Sequence, residues 1–338
     1  MSKRQFSFQK YWEDLSGGHV PLLSFSRADD YESWSRDARA KLLELLGPFP
    51  ERCDLAAEVE YSVDEGDFIR ERVVFDSEEN MSVPCILLIP KSDHRGRAVI
   101  CCHGHGRFGK DPVTGIVSSP EYQADIDLMN YDYARQMALH GFITLSPDLR
   151  GFGERRDGDD WLGRDTCNVN FLKGALLGVY PLTLNIFDIM RCVDYLETRS
   201  EVDCTRIGMM GLSQGGTMTA FVSALEPRIR AADIIAYVNP FHEFAVRRGN
   251  FCGSQMVPSL YRWFDTSDIA SLAAPRPLLL EMGIYDSCFF FKDMVRSARE
   301  VAAAYEAAGC PQRLEYDIHP GPHAFSGARA FDFFERWL

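Results

Sequence analysis

The sequence has no run of about 18 apolar residues, so no segment reads as a bilayer-spanning helix. Its first residues, Met-Ser-Lys-Arg-Gln-Phe-Ser-Phe-Gln-Lys, hold no apolar stretch of the secretory-signal kind. Ten cysteines are present, yet none falls in a C-x-x-C pair or a Cys/His spacing typical of zinc. Apart from Cys101-Cys102 they are scattered singly and read as small buried residues of a reducing compartment. The expectation is therefore a soluble, cytoplasmic protein. Basic charge is also short. Against 49 acidic residues stand 36 basic ones, and the net charge of −13 argues against nucleic acid and anionic membrane surfaces as partners. No internal repeat, low-complexity tract or linker-like stretch appears. With 338 residues, one large α/β domain with insertions fits best.

What is present centres on Arg206-Ile-Gly-Met-Met-Gly-Leu-Ser-Gln-Gly-Gly-Thr-Met218, a short apolar strand running into Gly211-Leu212-Ser213-Gln214-Gly215. This is G-x-S-x-G, the pattern of a serine on a tight strand-to-helix turn. Residues two before and two after the serine must be small, because strand and helix fold back on each other there. The helix that follows starts beneath the hydroxyl, and its first amides point where negative charge would develop.

Around this turn the pattern alternates. Phe68 to Phe75 and Val83 to Ile89 suggest an antiparallel hairpin across Ser77-Glu78-Glu79-Asn80. Strands are then expected at Ala98–His103, Phe142–Ser146, Ala231–Val238, Pro277–Met282 and Arg313–Ile318. Helices are expected at Met129–His140, Leu182–Arg199, Thr217–Leu225, Asp293–Ala308 and Ala324–Leu338. Such alternation implies a mainly parallel sheet flanked by helices, with ligands at the carboxyl ends of its strands. Residues 154–178 and 239–270 read as an irregular stretch and a long insertion, either of which would be placed to act as a lid. Residues 1–67 read as an N-terminal extension packed on a core of residues 68–338. Within it, Asp30 to Leu46 carries Trp34, Ala38, Leu42 and Leu45 at helical spacing and stops at Gly47-Pro48. The favoured reading of the extension is a cover over one sheet edge. An oligomer contact or a pocket wall is the other, and it leaves homo-oligomerisation open.

A serine hydroxyl needs a base, and the base needs an orienting acid. In proteins with this elbow the acid and then the histidine follow the serine. His242, His319 and His323 are the histidines downstream of Ser213. His323, in the loop between the last strand and the last helix, is placed to reach over the strand ends as base, while His319 beside a proline reads as structural. Asp286 follows the strand before it and is the candidate acid, with Asp265 and Asp268 as alternatives. The oxyanion donors are expected to be the backbone amides of Gln214 and of His105, the latter in His103-Gly104-His105-Gly106 after the Ala98–His103 strand. His103 and His105 lack companion ligands in sequence, so neither a metal nor another cofactor is expected. Asp148-Leu-Arg-Gly-Phe-Gly-Glu-Arg-Arg156 reads as a salt-bridged loop rather than an anion site. Phe108, Tyr180, Trp263 and Phe289 fall in strand-end loops or insertions and are candidates to line an acyl or alcohol pocket, with plain packing as the other reading.

His103-Gly-His-Gly, Asp148-Leu-Arg-Gly-Phe-Gly, Gly211-Leu-Ser-Gln-Gly-Gly, Gly283-Ile-Tyr-Asp and Gly321-Pro-His-Ala-Phe, in this order, resemble the α/β-hydrolase superfamily. The likeness covers roughly residues 68–338 and is nearest to the dienelactone hydrolase-like and acetyl xylan esterase (cephalosporin deacetylase) groups. It implies the α/β-hydrolase fold, a small-molecule ester substrate, and Ser213, Asp286 and His323 as nucleophile, acid and base. The chain departs from true dienelactone hydrolases in carrying serine rather than cysteine at the elbow. It departs from the acetyl xylan esterase group in having His105 where an aromatic residue is usual. The same three residues would also serve a peptidase or a carbon–carbon bond hydrolase, and the fold also accommodates non-catalytic binding proteins. A peptidase would need a gating domain, for which no propeller-like repeat is present. A scaffold would have lost one of the three residues, and all are in place.

Overall fold

The structure, a computed structural model, describes residues 4–157 and 165–338. Nine strands form one sheet: β1 (Glu58–Asp64), β2 (Phe68–Glu78), β3 (Met81–Pro90), β4 (Ala98–Cys102), β5 (Ile143–Pro147), β6 (Ile207–Leu212), β7 (Ile229–Ile235), β8 (Leu278–Gly283) and β9 (Leu314–His319). Their spatial order is β1-β2-β3-β5-β4-β6-β7-β8-β9. The first three strands meander and join β5 antiparallel, whereas every pairing from β5 through β9 is parallel. This is the α/β-hydrolase fold.

Burial explains why the strands read as they do. β4, β5, β6 and β8 are buried along their whole length, as parallel strands covered on both faces must be, and are written mostly in apolar residues. β1 is exposed throughout and carries Glu58, Glu60 and Asp64, charges that discourage further pairing at a sheet edge. One face of the sheet packs against helices Tyr31–Leu46, Pro181–Glu197 and Phe291–Ala307, and the other against Tyr133–Leu139 and Ala330–Trp337.

The chain leaves β4 toward β5 on one side and returns to β6 on the other, so the strand order reverses at β4. Ligand crevices open at such a point, beyond the carboxyl ends of the strands. Register sharpens this. Cys102 at the end of β4 lies opposite Gly211 in β6, and Gly283 at the end of β8 lies opposite His319 in β9. The four loops leaving these strand ends therefore start at matched levels along the sheet.

Several expectations change in detail. The helical part of the extension gives way to strand near residue 58, as expected, where β1 begins and pairs with β2. Its central helix is integral to the core: Trp34, Ala38, Leu42 and Leu46 are buried. The Tyr31 hydroxyl donates to the carbonyls of Ser271 and Ala274 at 2.9 Å, and the Arg39 guanidinium donates to those of Ala224 and Leu272. The stretch expected to be irregular at 154–178 contains a helix, Thr166–Leu177, while its residues 158–164 lie outside the described ones. A helix at Pro120–Met129, opened by Ser119 and Pro120, was not anticipated. The last helix begins at Ala330 rather than Ala324, because Phe325 donates its amide to Met129 and Ser326 its own to Glu281, holding this segment out of the helix. No single helix among the described residues is long and apolar enough to cross a membrane.

Leu42 is completely buried between the extension and the sheet. Leu42→Ala is expected to destabilise the protein by about 2–5 kcal/mol, read from the urea midpoint. A midpoint unchanged from wild type would mean that this helix is a dispensable cover.

Candidate active site

Ser213 joins β6 to helix Gln214–Leu225 at φ 61° and ψ −111°, a region that side-chain-bearing residues occupy only when their surroundings enforce it. The surroundings do so. A side chain at Gly211 would sit 2.5 Å from the carbonyl carbon of Gly215, and one at Gly215 would overlap the carbonyl oxygen of Cys102. One at Gly216 would press on Tyr237 at 2.8 Å. The glycines are thus required by backbone-to-backbone contact, and the serine is left at the strand end, half-buried. Gln214 is the first helical residue, so its amide has no acceptor within the helix.

Asp286 and His323 meet across the ends of β8 and β9. His323 Nδ1 lies 2.7 Å from Asp286 Oδ2. The other carboxylate oxygen accepts the amides of Cys288 and Phe289 at 2.7 and 2.8 Å, and the Asp286 side chain has no exposed surface. The carboxylate is thereby fixed in orientation. It holds the imidazole with Nε2 left for other work. The ring of Phe289 stacks on that of His323 with centroids 5.6 Å apart. The loop carrying His323 is anchored from below, where the amide of Ser326 donates to Glu281 at 3.0 Å.

The alternative acids are engaged elsewhere. Asp265 and Asp268 form a reciprocal cap on helix Thr266–Ser271, and Asp268 also accepts the Phe25 amide at 2.8 Å. His319 ends β9 against Gly321, and His242 contacts the Ser16 hydroxyl at 2.9 Å. Neither touches Asp286 or Ser213.

The loop after β4 lies against the elbow. The amide of Gly104 donates to the Tyr131 hydroxyl, and that of Gly106 donates to the Gly104 carbonyl at 2.9 Å. Between them the His105 amide has no hydrogen-bond partner among the described residues. A side chain at Gly104 would sit 3.1 Å from the Leu212 carbonyl and 3.6 Å from Ser213 Cβ. His103 is buried: its Nε2 accepts from the Leu149 amide at 3.0 Å, so Nδ1 donates to the Gly104 carbonyl at 2.7 Å. Burial holds its imidazole neutral, and it works as a strut between two loops. The second of these is the charged loop, whose charges are spent internally. Buried Asp148 accepts from the Lys110 ammonium at 2.9 Å and from the amides of Lys110 and Glu154. Arg150 and Arg155 both bind Asp188.

A cavity of about 350 Å³ opens over Ser213 and His323, large enough for a small ligand. Gly104, His105, Tyr131, Phe289 and the inserted segment from Gly249 to Cys252 line it. Of the four aromatic residues expected there, only Phe289 is present. Phe108 stacks on Tyr122 at 3.9 Å, Tyr180 on Phe171 at 6.2 Å, and Trp263 packs under the Lys41 ammonium at 4.2 Å. Tyr131, Asn250, Cys252, Gln255 and Cys288 were not foreseen. Tyr131 falls inside the helix expected at Met129–His140 but lies just before the observed one, Tyr133–Leu139, and the others are in segments where nothing in the local pattern marks a wall residue. His105 and Cys167 approach to 3.3 Å at one side, and hydrogen bonds from Cys167 and His105 pull the nearby Cys252 thiol down to about 5.

The chain belongs to the Abhydrolase family, whose model matches residues 19–326. It is 26% identical over 310 residues to the "Putative hydrolase YtaP" of Bacillus subtilis (strain 168), an alignment covering 89% of this chain and 99% of that one. Among solved structures, a putative acetyl xylan esterase from Bacteroides fragilis superposes with a TM-score of 0.76 at 19% identity, covering 94% of this chain and 83% of that one. A glucuronoyl esterase from Solibacter usitatus gives 0.69 at 15% identity, with 95% and 98% covered.

Glu281 carries a pH dependence. Burial raises its carboxyl from the usual 4.5 to about 8, and the Asp317 charge adds to the rise. Asp233 on the neighbouring strand is raised further, first by burial and then by the Glu281 charge. A folded-state pKa above the unfolded one means that the folded protein binds the extra proton. The stabilisation is then complete below about pH 4.5 and is lost as pH climbs through about 8. In urea melts between about pH 5 and about pH 8, Glu281→Gln should therefore lose less stability than wild type with rising pH. Parallel curves would show that Glu281 does not hold that proton.

Proposed function

We propose that the protein is a serine carboxylesterase that acts through Ser213, His323 and Asp286 and an acyl-enzyme. The observation that carries this reading is the Asp286–His323 contact of 2.7 Å on the rim of the cavity that Ser213 also lines. Nδ1 of the imidazole is committed to Asp286, so Nε2 is the basic nitrogen. It takes the proton of Ser213 as the serine oxygen bonds to the ester carbonyl carbon. The oxyanion so formed is held by the amides of Gln214 and His105, donors already oriented before the substrate arrives. The tetrahedral adduct collapses, the carbon–oxygen bond to the alcohol breaks, and His323 returns its proton to the departing alkoxide. Water then attacks the acyl-Ser213 by the same route and releases the acid.

Substrate size and polarity follow from the cavity. Its volume suits a small acyl group. Polar side chains among its walls, Asn250, Gln255 and Asp165, favour a hydroxyl-bearing alcohol over a lipid one. The names of two structural relatives, an acetyl xylan esterase and a glucuronoyl esterase, agree with a sugar-borne ester.

The test is hydrolysis of p-nitrophenyl esters from acetate to octanoate, with wild type and Ser213→Ala in parallel. Turnover should be greatest on acetate and fall by at least ~10⁴-fold in the variant. A fluorophosphonate should label wild type at Ser213. Ester turnover that survives in folded Ser213→Ala would refute the nucleophile. Labelling without turnover across the whole series would refute the small-acyl esterase and favour a carbon–carbon or amide bond.

A further inference from the structure

Beside the cavity, three side chains from distant parts of the chain converge without a part in ester chemistry. His105 comes from the loop after β4, Cys167 from the first turn of helix Thr166–Leu177, and Cys252 from the insertion after β7. His105 Nε2 is 3.3 Å from Cys167 Sγ, and one ligating atom from each of the three lies within 4.8 Å of the others. Both cysteines are buried, while His105 is exposed toward the cavity. We propose that His105, Cys167 and Cys252 bind a single Zn²⁺ ion, with the fourth position open to the cavity.

The chemistry fits the ion. Two thiolates and an imidazole form a soft to borderline donor set that selects zinc over magnesium or calcium. With zinc–sulfur bonds of about 2.3 Å and zinc–nitrogen bonds near 2.0–2.1 Å, tetrahedral ligand atoms stand roughly 3.5–3.8 Å apart. The His105–Cys167 separation of 3.3 Å lies just under that spacing and no pair of ligand atoms is more than 4.8 Å apart, so small side-chain rotations close the site.

The backbone is also arranged in advance. The Gly253 amide donates to Asn168 Oδ1 at 2.9 Å, and a side chain at Gly253 would overlap Phe171. The two segments that present the cysteines are therefore pressed together before any ion arrives. His105 is held from the other side, since its neighbours Gly104 and Gly106 are both hydrogen-bonded. The other group of comparable geometry, Asp286, Cys288 and His323, is the acid–base pair already described. An ion at the cysteine site would tie the loop that carries the His105 amide to two walls of the cavity.

The site is measured without an ester, so its failure and the failure of the esterase reading are distinguishable. Reduced, chelator-treated protein is titrated with Co²⁺ and then Zn²⁺. Wild type should develop a thiolate-to-cobalt charge-transfer band with the intense visible bands of a four-coordinate ion. Both should saturate at one equivalent and be bleached by zinc. Cys167→Ser and Cys252→Ser should each weaken zinc binding by at least ~10-fold, since loss of mere supporting groups already costs that much. Cys204→Ser, at an exposed cysteine elsewhere, should bind as wild type does. Zinc should also raise the wild-type melting midpoint, because it binds only the folded arrangement. A cobalt spectrum without thiolate character in wild type, which needs no variant to fold, overturns the site. So does binding that survives both serine substitutions.

Discussion

The carbonyl oxygen of Cys102 and the α-carbon of Gly215 occupy places that leave no room for a β-carbon between them. The end of β4, the end of β6 and the start of helix Gln214–Leu225 are therefore in direct backbone contact. Ser213 takes its positive φ as the consequence. From this contact the rest of the site follows. The loop leaving β4 passes against the elbow, with Gly104 close to the Leu212 carbonyl and to Ser213. The helix that starts at Gln214 directs its dipole at the same spot. Parallel pairing extends this level outward through β7 and β8 to β9, so the loops bearing Asp286 and His323 begin at the height where the serine waits.

Legibility in the sequence tracks how local each cause is. The elbow was readable because its glycines answer contacts within one turn. That Asp286 and His323 meet was readable because chain order and strand ends select them from few candidates. The helix Tyr31–Leu46 was readable from Trp34, Ala38 and Leu42 and from its stop at Gly47, and Asp30 caps it. The start of the strands near residue 58 was readable, but not the pairing of β1 with β2, since the residues of β1 are exposed on every side and carry no burial pattern. The pocket aromatics were misjudged for a related reason. Phe108, Tyr180 and Trp263 are apolar residues in loops, and nothing local distinguishes packing on Tyr122, on Phe171 or beneath Lys41 from facing a cavity. Cys167 and Cys252 are 85 residues apart, and only the folded chain brings them to His105.

Buried charge is distributed unevenly around the site, and the unevenness has a physical logic. On the side of β4 and β5, Asp148 is buried but matched by Lys110, and Asp188 by Arg150 and Arg155. Removing one partner there would strand the other without water. On the side of β8 and β9, Asp233 and Glu281 are buried with no cation paired to them among the described residues, and burial raises both carboxyls, so protons take that role. The first arrangement holds its loop across the neutral pH range. The second holds the His323 loop through Glu281 and Ser326 in a manner that responds to pH.

The two halves of the cavity have different origins. Its floor, with Leu212, Ser213, His105 and His323, belongs to strand ends whose positions are set by sheet register and steric exclusion. Its walls, from Gly249 to Cys252 and at Asp165, belong to insertions outside the sheet that pack on one another through Gly253, Asn168 and Phe171. Substitutions in the walls can reshape what enters without disturbing the floor. In the floor they cannot, because Gly104, Gly211 and Gly215 are in contact with backbone. The strand ends are thus the part of the molecule least free to vary and the inserted walls the part most free, a division by which one fold can host many functions.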